Sequence, residues 1–145
     1  MSIQQLKENV SDDDLAHAKL SLRVEPDDTF DDDLIKMYIK AARRDIIEQV
    51  GEQIDDFFDK NAAFEAAVLI EVGHLYNHRD STSSQQEYEV PMALYSLINS
   101  MKDSYRYLMY QKENPSSAVD TGQQNSDDSD TTAAGSGTGE RESGE

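Results

Sequence analysis

The stretch "AAFEAAVLIEVGHLYNHR", residues 62–79, decides the fold. Its apolar residues recur at helical spacing and cover almost the whole circumference of the predicted helix. A helix with so little polar surface has to be covered on most sides by other elements. Asn61, directly before the stretch, is a residue type that caps helix N-termini. The sequence therefore predicts a central, buried helix that starts after Asn61.

Two further helices are predicted on the N-terminal side of this stretch, each opened by acidic residues. Ser11 and Asp14 have the spacing of a capping box, with aspartate in place of the usual glutamate, and start a short helix. Asp28 or Thr29 is expected to cap the next helix, which is long and stops at Gly51. Acidic residues in the first turn favour both helices because they complement the positive end of the helix dipole.

The remaining pieces of the folded part flank the central stretch. Residues 52–60 are interpreted as a linker or a broken turn, with Phe57 and Phe58 pinned to the core. Pro91 follows a polar loop at residues 80–89 and opens the last helix. No stretch shows the alternation that is typical of a strand. We therefore predict an all-α fold, a small bundle of about four helices in residues 1–114.

The chain of 145 residues is strongly acidic, with 30 acidic and 13 basic residues and a net charge of −17. Of this charge, −11 falls in residues 1–114 and −6 in residues 115–145. The latter residues contain no leucine, isoleucine, methionine or aromatic side chain, and we interpret them as a disordered acidic tail. Such a charge disfavours binding to nucleic acids and to anionic membranes.

The sequence also excludes several classes of site and location. There is no cysteine, which rules out disulfides and thiolate metal sites. No apolar segment reaches the length of a membrane span, and the N-terminus does not resemble a signal peptide. We expect a protein that is made in the cytoplasm and does not enter a membrane.

Glu71, His74 and His78 lie at spacings that place them on one helical face, so a metal site has to be considered. A zincin helix needs a glutamate directly after its first histidine, but Leu75 occupies that position. A di-iron bundle needs two Glu-x-x-His motifs and two further glutamates, whereas this chain has one such motif. We expect no metal and no cofactor, with His74 packed in the bundle and His78 and Arg79 at the exposed helix end.

The aspartates between Asp27 and Asp33 could suggest a calcium-binding EF-hand loop. Counted from Asp27, the sixth and twelfth positions hold Asp32 and Tyr38, where that loop needs glycine and a bidentate glutamate. Helix capping explains these aspartates better. Because no nucleophile–base pair and no phosphate-binding glycine loop is visible either, we expect no catalytic residues and no enzymatic activity.

A cluster of tyrosines and basic residues near the end of the last helix could bind a protein partner. Tyrosine and arginine are enriched at the energetic centres of protein interfaces. The same residues could equally form an amphipathic helix end that packs on its own core. The candidate residues are Tyr105, Arg106, Tyr107, Tyr110 and Lys112.

The order of these pieces resembles the small head-to-tail connector (adaptor, head-completion) proteins of tailed bacteriophages. The capped helix "SDDDLAHAKLSLRVEPDD" is followed by "DDDLIKMYIKAARRDIIEQVGE", by the buried helix and by "EVPMALYSLINSMKD". The most specific piece is the end of the buried helix, with His74, Tyr76 and Arg79, and the resemblance covers about residues 3–110. Lys102 departs from the pattern, since this family often carries an arginine near that position.

The resemblance implies a structural virion protein at the head–tail junction, made in the host bacterial cytoplasm. It implies a ring of identical subunits beneath the portal, dodecameric to match it, that extends the DNA channel. The partners would be the portal protein and a neck or tail-completion protein, and DNA would pass through the ring without specific binding. By the same resemblance, the segment from Tyr105 to Lys112 would grip the portal.

An alternative interpretation is an acidic DNA mimic that inhibits a nucleic-acid enzyme by occupying its basic site. Only the net charge supports it. A mimic needs carboxylates spaced like phosphates on one exposed face, whereas here the carboxylates cluster at helix N-termini. A third interpretation, a helical metalloenzyme, depends on Glu71, His74 and His78 alone.

Overall fold

Five α-helices make up most of the chain that the computed structural model describes, which is residues 1–79 and 91–115. They are α1 (Ile3–Glu8), α2 (Asp12–Leu22), α3 (Asp32–Val50), α4 (Ala62–Asn77) and α5 (Met92–Glu113). No strand occurs in these two ranges, so the all-α prediction is confirmed. The predicted polar loop at residues 80–89 and the predicted acidic tail lie outside the described residues.

Helix α1 is an addition to the helices that the sequence predicted. Ser2 and Gln5 form its capping box: the Gln5 N–H donates to Oγ of Ser2 at 3.3 Å, and the Ser2 N–H donates to Oε1 of Gln5 at 3.2 Å. The guanidinium of Arg43 donates to the carbonyl oxygens of Leu6 and Asn9 at 3.3 and 2.8 Å. With six residues, α1 is too short to show a hydrophobic period in the sequence.

Helices α2 and α4 start where the sequence predicted. Oγ of Ser11 accepts a hydrogen bond from the Asp14 N–H at 3.1 Å, and the Asp14 carboxylate accepts one from the Ser11 N–H at 2.9 Å. Oδ1 of Asn61 accepts hydrogen bonds from the N–H groups of Ala63 and Phe64 at 3.0 and 3.2 Å. These side chains satisfy N–H groups that have no partner inside the helix.

Helix α3 begins after Asp31, so the prediction that Asp28 or Thr29 caps it is wrong. Oδ1 of Asp28 instead accepts a hydrogen bond from the Phe30 N–H at 3.0 Å and closes a turn ahead of the helix. The side chain of Asp31 makes no capping hydrogen bond. Its carboxylate is engaged by a tyrosine of α4, which the sequence does not reveal.

Helix α4 packs against α2, α3 and α5, and it is the central helix that the sequence predicted. Leu69, Ile70 and Leu75 are nevertheless only partly buried, so the expectation of burial on nearly all sides is too strong. The buried side chains of α4 are Phe64, Ala67, Val68 and Val72. The helix therefore fills the bundle with one side and leaves part of its apolar surface less covered.

Aliphatic side chains of α3 and α5 complete the core around α4. Their removal from water is the main force that holds the bundle together. The buried side chains from these two helices are Ile35, Ile39, Ala42, Ile46, Ile47, Leu94, Ile98 and Met101.

Buried lysines fasten the connecting segments to the bundle. Nζ of Lys19 lies 2.5 Å from the Asp32 carboxylate and donates to the carbonyl oxygen of Asp28 at 2.7 Å, which holds the loop between α2 and α3. Lys7 pairs with Glu52 at 2.7 Å and ties α1 to the segment after α3. Buried charges require such partners, because an unpaired ion away from water is strongly destabilising.

The connection between α3 and α4 folds onto one side of α5. Gly51 has a φ of +141°, a conformation that is open to glycine and strained for other residues. A Cβ at this position would lie 2.6 Å from the ring of Tyr105. Phe57 packs edge-on against Phe58 and Tyr105, with ring centroids 5.0 and 5.1 Å apart. The two phenylalanines hold this connection to the core, as the sequence predicted.

Candidate partner-binding surface

The predicted contact residues lie on the C-terminal half of α5. Leu94, Ile98, Met101 and Tyr105 form the buried stripe of this helix, with alternating spacings of four and three residues. Tyr105, the last of them, is 4% exposed. It therefore belongs to the core of the subunit.

The hydroxyl of Tyr105 is fully occupied by Gln53. It accepts a hydrogen bond from the Gln53 N–H at 2.6 Å and donates one to Oε1 of Gln53 at 2.7 Å. Tyr105 thus fixes α5 against the connection between α3 and α4. Of the two roles that the sequence left open for it, the structure shows packing on its own core. The regular spacing of the buried stripe is the sequence signal that separates Tyr105 from its neighbours.

The other four candidate residues, Arg106, Tyr107, Tyr110 and Lys112, are exposed. The exposed fractions of Tyr107 and Tyr110 are 62% and 58%. Arg106 lies 3.8 Å from Asp103 in an ion pair that is open to solvent and so contributes little to stability. These four residues share the last two turns of the helix, and their partner-binding role stays a prediction.

Leu108 is a residue of this surface that the sequence analysis missed. It follows Tyr105 by three residues and so continues the buried stripe. Its side chain is nevertheless 41% exposed. The same spacing of apolar residues, extended one step beyond Tyr105, is the signal that could have found it.

Tyr76 and Arg79, from the motif at the end of the central stretch, meet Asp31 at the start of α3. The Tyr76 hydroxyl donates a hydrogen bond to the Asp31 carboxylate at 2.6 Å. The guanidinium carbon of Arg79 lies 4.0 Å from the centre of the Tyr76 ring, and its Nη1 lies 3.7 Å from Oδ2 of Asp31. The arrangement joins a cation–π contact to an ion pair and holds the end of α4 to the start of α3.

Glu71, His74 and His78 do not come together as a metal centre. The His74 and His78 rings have centroids 4.3 Å apart and planes tilted by 37°, and Nδ1 of His78 lies 2.8 Å from the His74 carbonyl oxygen. Burial raises the pKa of Glu71 above its usual value, with His74 acting in the opposite direction. Across residues 1–79 and 91–115, no group of three or more metal-ligating side chains is placed to bind an ion.

One family model accounts for most of this architecture. The model of the phage gp6-like head-tail connector proteins matches residues 12–112. The matched segment runs from the start of α2 almost to the end of α5. The chain belongs to this family. The connector is accordingly a structural component of a phage virion, and its family is one of structural proteins, not of enzymes.

The match begins at residue 12, later than the resemblance, which was expected from about residue 3. Helix α1 therefore precedes the matched segment, although it is anchored to the connector by Arg43 and Lys7. No curated protein sequence and no solved structure matches the connector. None of the helices that the structure describes is long and apolar enough to span a membrane.

Proposed function

We propose that the connector forms a ring of identical subunits beneath the portal, extends the DNA channel and docks the neck or a tail-completion protein. Twelve subunits would match a dodecameric portal. Membership in the head-tail connector family supports this assembly. The observation that supports binding to the portal is the exposed end of α5, residues 106–112, which we call the α5 tip.

The α5 tip has the composition of a protein interface. Leu108 and two exposed tyrosines, Tyr107 and Tyr110, supply apolar area, while Arg106 and Lys112 lie among them. Aromatic residues and arginine are enriched where interfaces gain most of their affinity. Burial of the apolar area would contribute roughly 25 cal/mol per Å² before the costs of association are subtracted.

The tip suits the portal because it differs in charge from the rest of the subunit. The connector is strongly negative as a whole, and a partner of the same sign would repel most of its surface. Arg106 and Lys112 are the charged residues of the tip, and because Asp103 pairs with Arg106 and Glu113 follows Lys112, the tip is close to neutral and can enter an apolar site on the portal. Tyr105 contributes by holding α5 in place, through its contact with Gln53.

The negative charge of the ring wall fits the passage of DNA. Phosphates of the DNA backbone are repelled by carboxylates, so the double helix would slide through without specific binding. Synthesis in the host bacterial cytoplasm precedes assembly at the head–tail junction. In this role the connector acts by structure, without catalysis, metal or cofactor.

The DNA-mimic alternative is disfavoured by the positions of the carboxylates. Asp14, Asp31 and Asp32 are engaged in caps, ion pairs or hydrogen bonds within the bundle. Glu52 is paired with Lys7 in the same way. These groups serve the fold and do not form an exposed row that imitates phosphates.

The proposal is tested by co-sedimentation with purified portal protein of the same phage. Wild type is expected to sediment with the portal, and a Tyr107→Ala/Leu108→Ala variant to lose about tenfold or more in affinity. Met92→Ala/Tyr95→Ala is the matched control, since Met92 and Tyr95 are also exposed on α5, at its other end. Failure of wild type to bind the portal at any salt concentration would refute the proposed function. Equal losses in both variants would refute only the role of the α5 tip.

A further inference from the structure

The outer face of α3 carries an exposed methionine beside two lysines. Met37 is 55% exposed, and half-buried Lys36 and exposed Lys40 lie one turn apart on the same side of it. Neither lysine forms an ion pair within residues 1–79 and 91–115. Two carboxylates line the same surface: Glu8 is paired with Arg44 at 2.9 Å, and Asp33 offsets part of the lysine charge. We call Lys36, Met37 and Lys40 the basic ridge.

A groove between α2 and α4 has the opposite character. It has a volume of about 340 Å³, and Asp13 and Glu65 stand exposed at its edges without ion pairs in the described part of the chain. Arg43 also contributes, but its charge is neutralised by Asp14 at 2.8 Å. The apolar wall of the groove consists of Ile39, Phe64, Val68 and Leu69. We call this feature the acidic groove.

Met37 and the acidic groove lie on opposite sides of α3, and the two lysines lie between them around the helix. Ile39 is 2% exposed and reaches the groove from the inner face of the helix. Met37 precedes it by two residues, which turns its side chain about 200° around the helix axis. Met37 therefore cannot reach the groove of its own subunit, but it can reach the groove of another.

We propose that the basic ridge of one subunit seats in the acidic groove of the next. Met37 would contact the apolar wall near Leu69, and the two lysines would face Asp13 and Glu65. Because the two surfaces differ, the contact is head-to-tail, and such contacts form a ring when the rotation closes. The proposal rests on the ring of the proposed function and assigns the surfaces that join its subunits.

The charges explain why this contact would form despite the repulsion between acidic subunits. Each subunit carries −11 in residues 1–114, and salt screens exposed charges only beyond roughly 8 Å at physiological strength. The ridge and the groove place opposite charges inside that distance. A single groove is small compared with a stable interface of about 1,200–2,000 Å², so the contact would be weak in solution and reinforced on the portal.

Disulfide cross-linking tests the contact directly, because the natural chain contains no cysteine. A full-length Met37→Cys/Leu69→Cys variant is oxidised at high protein concentration, alone and with portal. We expect a ladder of covalent oligomers whose only links join residues 37 and 69. The matched control, Met37→Cys/Met92→Cys, places its second cysteine at an exposed site away from the groove and should give no ladder. Links between two copies of residue 37, or no 37–69 link while wild type binds the portal, would overturn the proposal.

Charge exchange provides a second readout. Lys36→Glu/Lys40→Glu should still bind the portal through the α5 tip but lose closed rings, counted by electron microscopy. Adding Asp13→Lys and Glu65→Lys to the same chain should restore the rings. Lys60→Glu/Lys102→Glu changes the net charge equally away from the ridge and should leave them intact. Rings that persist in the Lys36/Lys40 variant contradict the pairing, whereas loss of portal binding by wild type contradicts the proposed function itself.

Discussion

The Tyr76 hydroxyl donates a hydrogen bond of 2.6 Å to the Asp31 carboxylate, across 45 residues of sequence. Tyr76 belongs to the motif that carried the family resemblance, and Asp31 marks the start of α3. Arg79, from the same motif, lies over the Tyr76 ring and near the same carboxylate. The motif therefore serves the packing of α3 on α4. It is a structural feature of the connector and not a site of chemistry.

Tyr76→Phe should lower the free energy of unfolding by about 1–3 kcal/mol, because it removes a hydrogen bond to a charged, half-buried group and keeps the ring beneath Arg79. Urea unfolding measures the change. Tyr95→Phe removes an exposed hydroxyl from a similar helix and should change the free energy by less than about 0.5 kcal/mol. Equal effects of the two substitutions would show that the Tyr76–Asp31 bond contributes nothing.

Gly51→Ala and Gly73→Ala should change stability in opposite directions. At Gly51 the backbone has a φ of +141° and a Cβ would meet the Tyr105 ring at 2.6 Å, so we expect a loss of more than about 1 kcal/mol. At Gly73 no described atom beyond the neighbouring residues and the local helix backbone lies within 4 Å of the new methyl group, and alanine should stabilise α4 by roughly 0.5–1 kcal/mol. Thermal unfolding of both variants distinguishes these outcomes. A stabilised Gly51→Ala protein would contradict the described contact with Tyr105.

Ile46→Ala should cost about 2–5 kcal/mol of unfolding free energy, because the side chain is completely buried between the helices. Leu75→Ala is the control within the apolar sequence of α4. Since Leu75 is only partly buried, its truncation should cost less than that of Ile46. Chemical denaturation of both variants shows which of them loses more unfolding free energy. If Leu75 proved the more costly, α4 would be more deeply covered than the structure shows.

The connector should lose stability at acid pH, because the contribution of the Asp14 carboxylate is lost there. Burial raises the pKa of Asp14, but hydrogen bonds from Ser11 and the charge and hydrogen bond of Arg43 outweigh it and hold the pKa below its usual 3.8. A depressed carboxyl pKa stabilises the fold above the unfolded-state value and loses that contribution as the pH falls through the folded-state value. Asp14→Ala should therefore be less stable than wild type at pH 7, with a difference that shrinks below about pH 4. Asp13→Ala is the matched control, and a difference that does not depend on pH would exclude the carboxylate as its cause.

Removal of residues 115–145 should leave the melting temperature nearly unchanged. The prediction follows from composition, since these residues lack the large apolar side chains that could pack on the bundle. Calorimetry of the full chain and of a chain ending at Asn114 provides the comparison. A decrease of more than a few degrees would show that the segment docks on the helices.

The sequence alone was sufficient for most helix boundaries. Ser11 and Asn61 cap α2 and α4 through residues no more than three positions away, and Gly51 ends α3. Such signals act within one turn of a helix, so they can be read without knowledge of the packing. The order of the capped helices also identified the connector family, which the match to residues 12–112 confirmed.

Only the tertiary structure decided which polar residues are buried in the bundle and which distant residues they bind. Tyr105 is a core residue because Gln53, 52 positions earlier, returns to bind its hydroxyl. Asp31 occupies the N-cap position of α3 without a capping hydrogen bond, because its carboxylate binds Tyr76 of α4. Arg43, in the middle of α3, anchors α1, which is too short to be predicted from the periodicity of the sequence. Contacts between distant segments depend on how the helices dock, and local periodicity holds no information about that docking.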